Sequence, residues 1–439
     1  MIFEQVLTPD LGCAAYVVGC SRTHDALVVD PPLDTTEVED ALARHDLRLA
    51  GVVLTHTHAD HVSGHGVLAL EHGVPISIHR SAGVDFPHEP LEHDTRLAIG
   101  DVELVTLHTP GHRPEHCAFA VLDHTRADEP WLVLTGDSLL VGDVARPDLA
   151  VEAGDGAAAL HTSLDTRLLP LADGVEVFPG HVAGSLCGRT MSAKPSTTIG
   201  FERRFNPMLQ TTDERAFVTA ATADPQPKPP NMTRIVERNR GPLRPRPSPL
   251  RRLGDLPAGT TPLDVRDRGS YVEGHAPGAL LGSVGANGFA TRVGWMIPVD
   301  EEIVVVAVDA AQAAQAAAAL HAVGYDDVRG WVDADAAGRG ERLETLTLED
   351  VRRDRDRLQI VDVRDPDESP PPLPDAHRRP LRTLTDGPLG ALDPALPTAV
   401  LCGTGLRAAV AASVLARRGF ADVRPVIQGG MAELVGSAV

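Results

Sequence analysis

The sequence predicts an α/β protein of more than one domain, and three observations carry that prediction. Short apolar runs of strand size end in histidine or aspartate within the first 181 residues. A Pro/Arg-rich stretch then interrupts the chain, from Asp224-Pro225 to Ser248-Pro249. Beyond it, a unit of strand and Ala-rich helix occurs twice. The length of 439 residues suits several domains, at roughly 100–200 residues each.

Composition removes some function classes. Hydrophobic residues at 43% and charged residues at 23% are ordinary for a globular chain. The net charge of −21 repels phosphate backbones, and 3% aromatic content offers few stacking platforms, so nucleic-acid binding is not expected. No segment approaches the roughly 18 apolar residues of a membrane helix. Met1-Ile2-Phe3-Glu4-Gln5 has no basic stretch before an apolar one, so no secretory signal is read. Cys13, Cys20, Cys117, Cys187 and Cys402 are scattered, without a C-x-x-C pair. That pattern fits a soluble cytoplasmic protein in a reducing compartment, not a disulfide framework.

In the first part, Ala26–Asp30, Gly51–Thr55, Trp131–Thr135 and Val175–Phe178 are apolar runs too short for helices and read as strands. The last three lead into His56, Asp137 and His181. The sharpest motif is Thr55-His56-Thr57-His58-Ala59-Asp60-His61, with four metal-ligand side chains directly after a strand. They converge if the chain turns around an ion; a solvated His-rich loop is the bland alternative. His112 after Gly111, Asp137 after Gly136 and His181 after Gly180 each sit where glycine lets the backbone bend.

This set resembles the metallo-β-lactamase superfamily over about residues 1–240. The resemblance implies an αβ/βα sandwich with metal at one edge of two sheets. Three further stretches are similar to persulfide dioxygenases: Val141–Asp148, Gly184-Ser185-Leu186-Cys187-Gly188, and Ser196–Asn206. That family implies one Fe(II) per chain held by His56, His112 and Asp137. Such a facial triad leaves positions for O₂ and a sulfur ligand. His58, Asp60, His61 and His181 then form an outer layer or a vacant second metal site. Arg146 is expected near the substrate, with an ion pair to Asp148 as a compatible reading. Since all seven ligand positions are filled, a dinuclear zinc glyoxalase II-like thioester hydrolase is the runner-up.

The Pro/Arg-rich stretch reads as a linker, with a basic strap docked on an acidic domain as the alternative. After it, Leu263-Asp264-Val265-Arg266-Asp267 returns as Val361-Asp362-Val363-Arg364-Asp365, an offset of 98. Gly324-Tyr325 returns as Gly419-Phe420, an offset of 95. Alternating strand and helix implies two domains with parallel sheets. The expected boundaries are 1–240, 250–340 and 345–439.

In the last copy the strand Ala399-Val400-Leu401 runs into Cys402-Gly403-Thr404-Gly405-Leu406-Arg407 and then a helix. A cysteine at a helix N-terminus, beside an arginine, suits a thiolate nucleophile. A buried core cysteine is the alternative. The loop resembles that of rhodaneses, whose spacing is C-x₄-R. The segment Pro370–Leu381 departs from the family, lacking its G-H-I-P-G-A motif. The middle copy keeps Glu273-Gly274-His275-Ala276-Pro277-Gly278-Ala279 but has Ala307 and Gln312 where the cysteine and arginine belong, so it is expected to be inactive.

Together the resemblances imply a persulfide dioxygenase–sulfurtransferase fusion. A low-molecular-weight thiol persulfide and O₂ would give sulfite at iron, and Cys402 would pass sulfane sulfur to sulfite, giving thiosulfate. Self-association into a homo-oligomer is compatible with this reading. A non-enzymatic sulfur carrier with a structural metal is the alternative of a different class.

Overall fold

Strands of continuous apolar composition can be buried on both faces, and the first unit is built on that rule. The computed structural model describes residues 1–8, 10–182, 192–211, 213–225, 227–370, 373–385 and 387–436. Cys187 and the Gly184–Gly188 motif lie outside the described residues. The chain divides into two compact units. One comprises Met1–Lys228, Met232–Pro247 and Ala322–Gly324; the other comprises Pro229–Asn231, Ser248–His321 and Tyr325–Val439.

In the first unit, one sheet runs in spatial order Ile2–Thr8, Cys13–Gly19, Asp25–Val29, Arg48–Val53, Ile76–His79 and Glu89–Leu91. The other runs Thr197–Thr198, Glu176–Pro179, Leu132–Gly136, Cys117–Asp123, Val102–His108 and Arg96–Ile99. Side chains alternate across a strand. Along Cys13–Gly19, Ala14, Tyr16 and Val18 therefore join a core with Phe119, Val121 and Leu134 of the other sheet. Ala15 and Val17 join Val38, Ala41 and Leu68 of the helices Thr36–Arg44 and His65–His72. Cys117–Asp123 divides the same way, with Ala118, Ala120 and Leu122 turned toward helices Ala153–Ser163 and Glu214–Thr222. Two facing sheets with helices on both outer sides form the expected αβ/βα sandwich.

Strand direction brings the polar strand ends together. Leu132–Gly136 pairs in parallel with Glu176–Pro179, so Asp137 and His181 leave the sheet at one edge. Cys117–Asp123 is antiparallel to both Leu132–Gly136 and Val102–His108, which puts the end of the latter, before His112, at that edge too. The two sheets meet there: Cys117 N donates to Thr55 O at 2.8 Å, and Ala14 N donates to Gly180 O at 2.8 Å.

The Pro/Arg-rich stretch holds more structure than a linker. Met232–Arg240 is a helix with Ile235 and Asn239 buried. Arg246 bridges Glu39 at 2.9 Å and Glu71 at 2.8 Å. The docked-strap alternative describes residues 232–247, which belong to the first unit. A surface charge count along the sequence leaves this choice open because it does not place Glu39 and Glu71 on neighbouring helices.

The second unit contains two four-stranded sheets, each wholly parallel. In spatial order they are Leu280–Leu281, Thr261–Asp264, Ile303–Ala307, Val328–Asp333, and then His377–Arg378, Gln359–Asp362, Thr398–Leu401, Val423–Pro425. The repeated motif has one physical role in both. Arg266 lies against Asp264 at 2.6 Å, and Arg364 against Asp362 at 2.8 Å, all four buried. Each arginine also donates to a loop carbonyl, Gly274 O at 2.8 Å or Pro370 O at 2.9 Å. Among the described residues no helix is long and apolar enough to cross a membrane.

Removing one partner of a buried ion pair strands the other charge. Arg364→Met is therefore expected to destabilise the sheet around Gln359–Asp362 by about 3–5 kcal/mol. The check is a lowered denaturant midpoint for the C-terminal unit. A variant with both Asp362 and Arg364 replaced by apolar residues should recover much of the loss.

Candidate functional site

Three side chains at the sheet edge leave polar atoms aimed at one another. The ligand atoms of His56, His112 and Asp137 lie within 4.8 Å of one another, and all three residues are buried. Asp137 Oδ2 stands 3.3 Å from His112 Nε2 and 4.0 Å from His56 Nε2. His56 Nε2 and Asp137 Oδ2 have no hydrogen-bond partner. Buried polar atoms are ordinarily paired, so this pocket fits a cation that binds all three.

Neighbours fix the orientation of each member. Asp30 accepts hydrogen bonds from Thr55 N at 2.9 Å and Thr55 Oγ1 at 2.7 Å. Thr55 Oγ1 can then accept from His56 Nδ1 at 2.8 Å, leaving Nε2 for the pocket. His112 Nδ1 donates to Arg146 O at 3.0 Å, with the same consequence. Asp137 N donates to His116 Nε2 at 2.9 Å, and His116 Nδ1 lies 2.9 Å from Thr109 Oγ1. Such outer partners hold ligands in place. Gly136 adopts φ +48°, and a Cβ there would meet His116 Nε2 at 2.7 Å.

Protonation states agree with a cation site. Burial, then the neighbouring His58 and His112, pushes His56 well below the ordinary histidine value, so its nitrogen lone pair is free. His112 is lowered too, mainly by burial. For Asp137, burial pushes upward, but the charge and hydrogen bond of His181 outweigh it and hold the carboxyl well below the usual range.

The other histidines and aspartate behave differently. Cys13, Asp60, His61 and His181 form a second close group. Several of its atoms pair internally: Cys13 Sγ donates to Asp60 Oδ2 at 3.4 Å, and His61 Nδ1 is 3.2 Å from Asp60 Oδ1, while His61 Nε2 has no hydrogen-bond partner. His181 contacts Asp60 Oδ2 at 2.7 Å with one nitrogen and Asp137 Oδ1 at 2.6 Å with the other. Burial, then Asp60, pushes the Cys13 thiol up to about 12, so it stays protonated. His58 belongs to neither group and faces Asp30 at 3.1 Å. Arg146 is buried and forms a fork to Asp148 at 2.7 and 2.9 Å.

Several residues escaped sequence reasoning. Asn239 Nδ2 donates to His58 O at 2.9 Å and His61 O at 2.7 Å, while its Oδ1 accepts from Ser63 N at 2.8 Å. Glu115 Oε1 accepts from Thr57 N at 3.2 Å and Arg113 Nε at 2.7 Å. Cys13 enters through an isolated bridge with His181. Nothing in the local sequence marks these residues, since each acts on a segment distant in the chain. The stretches Val141–Asp148 and Ser196–Asn206 also meet: Glu202 Oε2 accepts from Gly142 N at 3.0 Å, and Asn206 Nδ2 donates to Asp143 O at 3.0 Å.

Cys402 lies in the second unit at the end of Thr398–Leu401, directly before helix Leu406–Arg417, and is 1% exposed. Gly405 N donates to its Sγ at 3.0 Å. Gly405 adopts φ +90°, and a Cβ there would strike Ile427 O at 2.3 Å, so the tight loop needs glycine. Gly403 and Leu406 are half-buried and Thr404 is exposed on the same turn. Arg407 is held by Glu368. Strand register supplies an independent match between the copies. Asp264 pairs with Val306, and Asp362 pairs with Leu401, so Ala307 stands at the position of Cys402. Gln312 Oε1 there accepts from Val308 N at 3.0 Å.

Residues 8–181 match the family model described as Metallo-beta-lactamase superfamily. An uncharacterized protein of Mycobacterium tuberculosis is 32% identical over 226 residues, covering 46% of this chain and 94% of that protein. The mitochondrial persulfide dioxygenase ETHE1 of Homo sapiens is 29% identical over 241 residues, covering 54% of this chain and 87% of its own. A crystal structure of a metallo-beta-lactamase from Staphylococcus aureus has 27% identity and a TM-score of 0.69. That likeness covers 76% of this chain and 98% of the other, so it extends beyond the family match.

Two outcomes follow from this geometry. Asn239→Leu removes three hydrogen bonds to the His58–Ser63 backbone, and chelator competition should report metal affinity weakened about 10- to 100-fold. His65 is held down to about 3 from 6.5 by burial and then by His58. Between those values the unfolded chain binds a proton that the folded chain refuses, so stability falls as pH drops below about 6.5. Between pH ~7.5 and ~4.5 this group should cost roughly 2–3 kcal/mol, and denaturation of His65→Phe should show a correspondingly smaller acid loss.

Proposed function

Because the chain belongs to the metallo-beta-lactamase superfamily, we propose that its first unit is a persulfide dioxygenase with one iron, and that Cys402 is a rhodanese-type sulfur carrier in the second. The observation that carries the first half is the close, buried set of His56, His112 and Asp137, whose ligand atoms lie within 4.8 Å of one another. His56 Nε2 and Asp137 Oδ2 are unpaired; beside them Asp60 and His181 already hydrogen-bond each other, while His61 Nε2 is unpaired as well. A cation completes this set of three, and the likeness to ETHE1, named a persulfide dioxygenase, indicates the chemistry.

His56, His112 and Asp137 would hold the iron, which when bound supplies the redox chemistry that dioxygen requires. Asp30 through Thr55 and the Arg146 carbonyl keep both imidazoles turned to the pocket. His181 holds the second oxygen of Asp137, which directs a single carboxylate oxygen to the cation. In the net reaction a thiol persulfide, O₂ and water give the thiol, sulfite and two protons. Asp60 and His61 brace His181 from behind.

The domain reading is 1–240 for the dioxygenase, 250–340 for an inactive rhodanese-like domain and 345–439 for an active one. Cys402 in persulfide form would transfer its outer sulfur to sulfite: the new S–S bond makes thiosulfate as the Cys402 thiolate leaves. In the loop of Gly403, Thr404, Gly405 and Leu406, the Gly405 N–H donates to Cys402 Sγ, and Arg407 would offer a cation to an anionic acceptor. Ala307 and Gln312 leave the middle domain without either group. Substrate, O₂ and sulfite are thus the partners. A second reading, a dinuclear zinc thioesterase, would use the unpaired nitrogens of His58 and His61 and would need the Asp60–His181 contact to open.

Metal analysis should find about one iron per chain, with His112→Ala losing both the metal and O₂ uptake with a thiol persulfide. Two zinc ions with thioester hydrolysis, or iron without O₂ uptake, would overturn the first half. Cys402→Ser exchanges a thiolate for a hydroxyl that does not ionise, so O₂ uptake should persist while sulfite accumulates in place of thiosulfate at early times. An unchanged thiosulfate yield would overturn the second half.

A further inference from the structure

We propose that Glu368 sets the charge selectivity of the Cys402 loop: its carboxylate occupies the Arg407 guanidinium as an internal anion, which an anionic sulfur donor or acceptor must displace. The inference rests on the sulfurtransferase reading of Cys402.

Arg407 Nη1 donates to Glu368 Oε1 at 2.5 Å and Nη2 donates to Oε2 at 2.7 Å. This is the two-pronged geometry in which guanidinium binds carboxylates and similar oxyanions. The sulfite end of thiosulfate presents the same kind of oxygen pair. Glu368 is not a loose surface acid. Its Oε1 also accepts from Asp365 N at 2.9 Å, and Glu368 N donates to Asp365 O at 3.2 Å, so a tight turn aims the carboxylate. That turn is held from behind by Arg364, donating to Ser369 O at 3.2 Å and Pro370 O at 2.9 Å, and by Arg378, donating to Glu368 O at 3.3 Å.

Two carboxylates face Arg407. Asp365 Oδ2 is 3.6 Å from Arg407 Nη1 and is itself paired with Arg382. While Glu368 stays in place, both Nη groups of Arg407 are taken, and an approaching dianion meets a carboxylate there. Both partners are about one-third exposed, at 29% and 32%, and a pair that accessible can be displaced. The middle copy supplies an internal comparison. Where Arg407 becomes Gln312, the position of Glu368 at the offset of 98 is Ser270, and Arg378 aligns by strand register with Leu281. The carboxylate is absent where the guanidinium is absent.

The half-reaction involved is a simple exchange. The Cys402 thiolate bonds to the outer sulfur of thiosulfate, the S–S bond of thiosulfate breaks, and its electron pair leaves with sulfite. Cyanide then takes the outer sulfur as thiocyanate and returns the thiolate, with no external oxidant. Glu368 touches neither sulfur and acts through Arg407, so it is a positioning residue.

The test compares the full-length chain with Glu368→Gln, measuring thiocyanate formation from thiosulfate and from an uncharged organic trisulfide. Glu368→Gln should lower KM for thiosulfate roughly three- to tenfold, with kcat little changed and KM for the trisulfide unmoved. Calorimetric titration of sulfite into Cys402→Ser, with and without Glu368→Gln, should show the same gain in affinity without any turnover. An unchanged or raised KM for thiosulfate, or equal losses of kcat with both donors, would make Glu368 a structural brace and overturn the proposal. Absence of thiocyanate from either donor in the wild-type chain would remove the sulfurtransferase reading, and this inference with it.

Discussion

The first unit is organised around a carboxylate that cannot stay buried alone. Asp137 is fully enclosed at the edge of two sheets, and an ionised carboxylate in such a place needs compensating charge. His181 supplies part of it through one oxygen. The other oxygen faces His56 and His112, which burial keeps neutral and which bring lone pairs, not protons. A negative oxygen and two neutral nitrogens around one point demand a cation. The burial that would otherwise be a cost is what makes the site selective for a metal.

The scaffold meets this demand with segments remote in sequence. Parallel and antiparallel pairings send the ends of Arg48–Val53, Val102–His108, Leu132–Gly136 and Glu176–Pro179 to one edge. The His56–His61 loop between them has no regular backbone pairing of its own. Asn239, Glu115 and Asp30 satisfy its backbone and side chains instead. A helix from the Pro/Arg-rich stretch thus becomes part of the architecture of the candidate metal site.

The second unit uses one scaffold twice with different outcomes. In both sheets an Asp–Arg pair fastens the first strand to the loop after it. Stability of the sheet depends on that pair and on the apolar strands, and neither depends on a thiol. The copy with Ala307 and Gln312 therefore builds the same kind of sheet as the copy with Cys402 and Arg407.

Much of the architecture was legible in the sequence because it follows from local patterning. Strand runs, the glycines before His112, Asp137 and His181, and the repeated Asp-Val-Arg motif are each properties of a few adjacent residues. Strand register later reproduced the Ala307–Cys402 match that the offset of 95 had implied. Motif and turn pattern put His56, His112 and Asp137 among seven ligand positions, and only the resemblance to persulfide dioxygenases set those three apart. Only the tertiary structure divided the seven, drawing His56, His112 and Asp137 into one close set and Asp60, His61 and His181 into another with Cys13, and leaving His58 in neither. It alone placed Asn239 beneath the histidine loop, Arg246 across Glu39 and Glu71, and Glu368 against Arg407. The reason is physical: a residue's type and its neighbours in sequence determine which bonds it can make. Which atoms are left without a partner depends on what the rest of the chain brings within about 3 Å.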